Sequence, residues 1–144
     1  MNENLYKKIL VPVDGSTFSK KAAKDANFIA KLSNSEVILL GVIENSFSLE
    51  LPTDETVMQI KMLLQYEANK NLDEIKKEFD KDIKTTTKID EGSPAEVILN
   101  TIEDENIDLV VMGSSGKRGL DKFLLGSVTD KVVNSAKCKI LVIH

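Results

Sequence analysis

The residues of this chain best suited to chemistry lie in one stretch, Gly113-Ser114-Ser-Gly116-Lys117-Arg118-Gly119-Leu-Asp-Lys-Phe-Leu-Leu-Gly126-Ser127. It follows the apolar run of residues 107–112 and precedes a helical pattern, so it reads as a loop between a strand and a helix. Glycines let backbone N–H groups approach an anion closely, and the helix behind such a loop offers unpaired N–H groups and the positive end of its dipole. The expected chemistry is a phosphate cradle, with Lys117 and Arg118 adding mobile positive charge and Ser114 and Thr129 adding hydroxyls. Any one glycine could be an ordinary turn or cap residue, and Gly119 reads as one that lets the loop bend. Four glycines within fourteen residues, behind a buried strand, carry more information. Ser127 is also an N-cap candidate, its hydroxyl accepting from the N–H of Asp130. A phosphate at that helix end would meet the N–H groups of Ser127 and Val128.

Asp14 is the second candidate, closing the apolar run that ends Pro12-Val13-Asp14-Gly-Ser16. A carboxylate at a strand end can accept a hydrogen bond from a ribose, or hold a divalent cation such as Mg or Mn through water beside a triphosphate. Asp in an Asp-Gly-Ser turn also makes its own backbone hydrogen bonds, and the residues alone leave both roles open.

The loop spacing is G-x-x-G, nine residues, then G-S, which departs from the P-loop and from the G-x-G-x-x-G dinucleotide pattern. That layout resembles the nucleotide-binding branch of the universal stress protein family. The opening Lys8-Ile-Leu-Val-Pro12-Val13-Asp14-Gly-Ser16, the run Val37-Ile-Leu-Leu-Gly-Val42-Ile and the final Cys138-Lys-Ile-Leu-Val-Ile143 are similar to its first, second and last strands. The resemblance covers essentially the whole chain and implies ATP as ligand. It implies contacts to the nucleotide from Pro12, Asp14, Gly113, Gly116, Gly126 and Ser127, and an adenine slot flanked by Val13, Val42 and Met112, whose alternative role is core packing. At Ser115 many relatives carry His, so any contact made by a ring is absent here.

These residues need a scaffold, and the apolar runs supply one. Runs at residues 7–13, 36–43, 84–89, 107–112 and 138–143 alternate with helical patterns, which predicts five strands and four helices. Four of the runs are nearly continuous in Val, Ile and Leu, as parallel strands covered on both faces are. The third alternates, is rich in Thr and carries lysines, as a half-exposed edge strand does. Helices are expected at 17–32, with Ala22, Ala23, Ala26, Ile29 and Ala30 facing inward, and at 55–79, with Val57, Ile60, Leu64, Leu72, Ile75 and Phe79 inward. Ser93-Pro-Ala-Glu96 and Ser127-Val-Thr-Asp130 have capping-box form. Residues 44–54, with Leu51-Pro52, read as a long flap-like loop.

The expected fold is therefore α/β: one doubly wound, Rossmann-like, five-stranded parallel sheet with helices on both faces, forming a single domain over residues 1–144. Ligands of such sheets bind beyond the carboxyl ends of strands where the strand order reverses. If the loops after strands one and four share a site, those strands are neighbours and the order is 3-2-1-4-5, as the resemblance also implies.

Composition narrows the function classes. Nineteen basic and 23 acidic residues give a net charge of −4, with no Trp and two Tyr, so nothing in the chain favours nucleic acid or an anionic membrane surface. The lone Cys138 cannot build a disulfide framework or thiolate metal site and reads as a buried, inert thiol. The chain shows no signal-peptide stretch and no membrane-length apolar run, so a cytoplasmic location is expected. The loop and Asp14, taken with the resemblance, imply an ATP-binding regulatory or stress-response protein; at most slow hydrolysis is expected, since only Asp14, Lys117 and Arg118 are offered to phosphoryl transfer. A phosphoacceptor receiver using Asp14 and Asp90, or a ligand-free dimeric module, are the alternatives. The last strand, Lys139 to Ile143, lacks a following helix and is the expected seam of a homodimer. Replacement of Gly113 or Gly126 by Val is expected to abolish binding and leave the fold intact.

Overall fold

The computed structural model describes residues 5–44, 53–116 and 124–144. The elements run β1 (Lys8–Pro12), α1 (Thr17–Ser33), β2 (Glu36–Ile43), α2 (Asp54–Glu78), β3 (Thr85–Glu91), α3 (Pro94–Asp104), β4 (Leu109–Gly113), α4 (Ser127–Ser135) and β5 (Lys139–Ile143). All strand pairs are parallel and the sheet order is β3-β2-β1-β4-β5. The expected fold and strand order are those observed. The expected flap falls mainly on residues 45–52, outside the described residues.

Strand alternation divides the core in two. Ile9, Val11, Val13, Val37, Leu39, Leu109 and Val111 pack under α1 and α2. Leu10, Ile38, Leu40, Val110 and Met112 pack under α3 and α4. The central strands are apolar on both sides because both sides are covered, which is why their sequences lack alternation. In α1, Ala22, Ala23, Ala26 and Ala30 are buried and Ile29 is half-buried, as the periodicity predicts. The small side chains let α1 lie close to the sheet. In α2 only Leu72 and Ile75 are buried, with Phe79 just beyond. Val57, Ile60 and Leu64 are only half-buried, because the amino-terminal half of this helix lies less deeply on the sheet.

Two capping expectations are corrected. Ser93 stands at the N-cap of α3, but its hydroxyl makes no capping bond. Pro94 presets the first turn and lacks an N–H, and Ser93 and Glu96 are exposed to water. Ser127 is not the N-cap of α4; Gly126 is, and the Asp130 N–H bonds the Gly126 carbonyl at 2.9 Å. Effective side-chain caps occur elsewhere. The Ser16 hydroxyl accepts from the Ser19 N–H and the Thr53 hydroxyl from the Thr56 N–H, each at 3.1 Å.

The half-exposed face of β3 joins an ion-pair chain. Lys84 lies 3.5 Å from Glu36, and Lys8 lies 3.7 Å from Glu36 and 3.9 Å from Glu105. Lys88 lies 3.7 Å from Glu105 and 3.5 Å from Asp90. Such partly exposed pairs contribute little stability individually, but they fill the strand's surface with paired charge.

A tertiary clamp predicts acid sensitivity. The Asn27 side chain on α1 donates to Asp80 Oδ2 and accepts the Asp80 N–H, both at 3.0 Å, while Lys31 lies 3.4 Å from the same carboxylate. The bond from Asn27, followed by that from Lys31, lowers the Asp80 pKa. A folded-state pKa below the unfolded one means stabilisation that is present above the ordinary aspartate range and is lost as pH falls through the folded value. Wild type should therefore melt above Asp80→Asn at neutral pH, with the gap closing on acidification. A gap independent of pH in thermal melts would refute the clamp.

Candidate functional site

The two carboxyl-end loops singled out by sequence come together. After β1 the chain turns through Asp14-Gly15-Ser16, with the Ser16 N–H donating to Asp14 Oδ1 at 2.9 Å. Gly15 has φ +83°, a left-handed conformation that glycine adopts without strain. Asp14 is thus a turn-forming residue through one oxygen. Its other oxygen, Oδ2, faces the loop after β4, since a Cβ added at Gly116 would stand 2.9 Å from it. The turn and functional readings of Asp14 are compatible, because they use different oxygens.

The base of the glycine loop is fixed by three bonds. The Ser114 N–H donates to the Ile143 carbonyl at 2.7 Å, and the Gly126 N–H donates to the Ser114 carbonyl at 2.8 Å. The Thr129 hydroxyl donates to the Gly113 carbonyl at 2.8 Å. These bonds draw the two ends of the loop onto the end of the sheet and bring the first turn of α4 beside β4. Helix geometry leaves the N–H groups of Ser127, Val128 and Thr129 without acceptors inside α4. Ser114 and Ser115 are buried, while Ser127 is exposed. Lys117, Arg118 and Gly119 lie outside the described residues.

Gly113 also has a packing role. A Cβ there would stand 2.5 Å from the Phe18 Cβ and 3.0 Å from the Phe18 backbone carbonyl carbon. The residue permits α1 to pack on the end of β4, so a Val variant cannot leave the fold intact as expected. At Gly126 the added Cβ would stand 3.3 Å from the backbone of Ser115, a tight approach within the loop itself.

The apolar candidates divide between the two faces. Met112 and Val42 belong with the core under α3 and α4, and Pro12 shares the parity of Leu10 on that side. Val13 belongs with the core under α1 and α2. Asn71, which sequence reasoning missed, reaches from α2 over the acidic turn: its Nδ2 would be 2.7 Å from a Cβ at Gly15. No local pattern announces such a contact between remote elements.

Asp90 sits near the end of β3, separated from β1 by β2, and lies 3.5 Å from Lys88. The strand order therefore does not bring Asp14 and Asp90 together as the receiver reading needs. Cys138 is half-buried rather than buried, and desolvation foremost raises its thiol pKa. Among the described residues no helix is long and apolar enough to cross a membrane. None of their His, Cys, Asp and Glu side chains cluster in threes as a metal cage.

Comparison with known proteins places the chain in a family. The model of the universal stress protein family matches residues 5–144. The chain belongs to that family. Among its family relatives, the universal stress protein MJ0531 of Methanocaldococcus jannaschii is 42% identical over 142 residues, covering 98% of this chain and 84% of the relative. The solved structure of MJ0577 from the same organism is 38% identical with a TM-score of 0.85, covering 96% of each chain. A family member solved in complex with cAMP is 26% identical with a TM-score of 0.63, covering 96% of this chain and 97% of that one.

Proposed function

We propose that this family member is a cytoplasmic regulatory protein of the stress response, a single domain over residues 1–144 that binds an adenine nucleotide, ATP foremost, and turns it over slowly if at all. The observation that carries the reading is the convergence of Asp14 Oδ2 on Gly116 at the carboxyl ends of neighbouring strands β1 and β4. Beside it lies the amino end of α4, anchored by the Gly126 to Ser114 bond. The complex of a 26% identical relative with cAMP supports the same ligand class.

In this reading the phosphates meet the backbone at Gly116 and Gly126 and the N–H groups of Ser127 and Val128, where the α4 dipole favours negative charge. Gly113 and Ser114 shape the cradle, and Lys117 and Arg118 add charge. Pro12, Val42 and Met112 flank the adenine. Asp14 takes the ribose, or a Mg or Mn ion held jointly with the phosphates. One protein carboxylate suits Mg, which keeps several waters and relies on substrate phosphates. Among the described residues near the cradle none beyond Asp14 is offered as a proton acceptor, and His144 is exposed. The protein is further proposed to act as a homodimer through β5.

Gly116→Val provides the direct test. Among the described residues an added Cβ would meet only the tip of exposed Asp14, so the variant should fold and melt like wild type. Its bulk would fill the approach of the phosphates, and calorimetry should show ATP affinity reduced at least tenfold, on the order of a lost charge-assisted hydrogen bond. ATP should raise the melting temperature of wild type by mass action. Wild-type protein whose calorimetric titration with ATP shows no heat of binding would refute the function.

A further inference from the structure

We infer that Thr129 is a positioning residue, which aims the amino end of α4 at the ligand without touching the ligand itself. This inference rests on the nucleotide reading above and deepens it. Thr129 lies in the first turn of α4, and its side chain is the kind of hydroxyl that sequence reasoning assigns to a phosphate. The structure gives that hydroxyl other work. It is 3% exposed, and Oγ1 donates to the Gly113 carbonyl at 2.8 Å.

A hydroxyl carries one proton. Phosphate oxygens, like the Gly113 carbonyl, are acceptors, so a Thr129 hydroxyl that donates to Gly113 has no proton left for a phosphate. What the bond does provide is placement. Gly113 is the last residue of β4, paired with Ile143, and it cannot move without disturbing the close packing of Phe18. The Thr129 bond joins the first turn of α4 to that immobile point. The Gly126 to Ser114 bond fixes the preceding cap, and together the two set the direction of the N–H groups of Ser127 and Val128. Without the hydroxyl, the Gly113 carbonyl loses its side-chain donor and the helix end is held by the cap and the packing of Val128.

Thr129→Val preserves the shape and removes the bond, while Thr129→Ser keeps the bond. Affinities of wild type and both variants for ATP and for adenosine, which lacks phosphate, should be measured by calorimetry. Amide exchange should be followed through α4 in the ligand-free proteins. The expected result is about a tenfold loss of ATP affinity for Thr129→Val, with adenosine affinity unchanged and wild-type behaviour restored by Thr129→Ser. Exchange at Asp130 should accelerate in the Val variant alone, before any ligand is present. Equal losses for ATP and adenosine would indicate general damage and overturn the inference, as would Thr129→Val binding ATP like wild type. If Thr129→Val does not fold, Thr129→Ser decides: a folded Ser variant with lost ATP affinity overturns it, and retained affinity with wild-type exchange supports it. Failure of wild type to bind ATP would remove the nucleotide reading and this inference together. Wild-type binding with no effect of Thr129→Val would remove this inference alone.

Discussion

Gly113→Val is expected to damage the fold itself, and to do so more than Gly116→Val. The new Cβ would fall 2.5 Å from the Phe18 Cβ and 3.0 Å from the Phe18 carbonyl carbon. Only part of that clash involves a side chain, and the rest is the backbone of α1 in its first turn. Relief requires α1 to lift from β4, and α1 carries Ala22, Ala23, Ala26 and Ala30 of the core. Overpacking of this kind costs about 3 kcal/mol, enough to lower the melting temperature by roughly 10 °C. Gly116→Val, whose neighbour is the movable tip of Asp14, should melt near wild type. Thermal melts of the two variants side by side check the contrast. A Gly113→Val protein as stable as wild type would show that the close approach of α1 is not needed.

Val142→Pro is expected to split the proposed dimer and spare the protomer. The Ile143 carbonyl bonds the Ser114 N–H, so Ile143 directs its backbone groups toward β4. Along a strand these directions alternate, which turns the Val142 N–H to the open edge. Proline is tolerated on an edge where the missing N–H faces outward, so the fold should survive. A twofold interface loses the bond twice, and the dimer should weaken about a hundredfold. The apolar surroundings favour pairing at this edge: Leu141 is partly exposed, and Leu32 and Phe28 of α1 are 74% and 65% exposed. Leu32 lies near the helix side that carries Phe18, which packs on Gly113 of neighbouring β4. Sedimentation at micromolar concentration decides the matter. A wild-type monomer, or a dimer indifferent to Val142→Pro, would refute pairing through β5.

The sheet was legible in the sequence because its causes are local or periodic. Ile9, Leu10 and Val11 form an unbroken apolar run because helices cover both their faces, and the alternation of β3 reports its place at an edge. The convergence of Asp14 and Gly116 follows from β1 and β4 being neighbours. What could not be read were contacts set by packing between remote elements. Phe18 against Gly113 and Asn71 against Gly15 depend on where α1 and α2 settle, and no spacing encodes that. The start of α4 was misplaced by one residue for a related reason. Ser127 has the better capping side chain, but Gly126 is held in place by Ser114, and a tertiary bond outweighed a local preference. Nor does spacing tell that Val13 packs in the layer under α1 and α2 while Val42 and Met112 pack in the other.

The two borders of the sheet are unlike, and that difference limits how large an assembly can grow. β5 is apolar and bears no ion pair among the described residues, whereas β3 is threaded by the chain of pairs from Lys84 through Glu36, Lys8, Glu105 and Lys88 to Asp90. Twofold pairing of β5 would use up the adhesive border of both copies and leave only charged borders facing outward. A third copy would have to displace water from those lysines and carboxylates to add its strand. Association built this way would close at two chains and ten strands, so pairing at that edge would not seed a fibre.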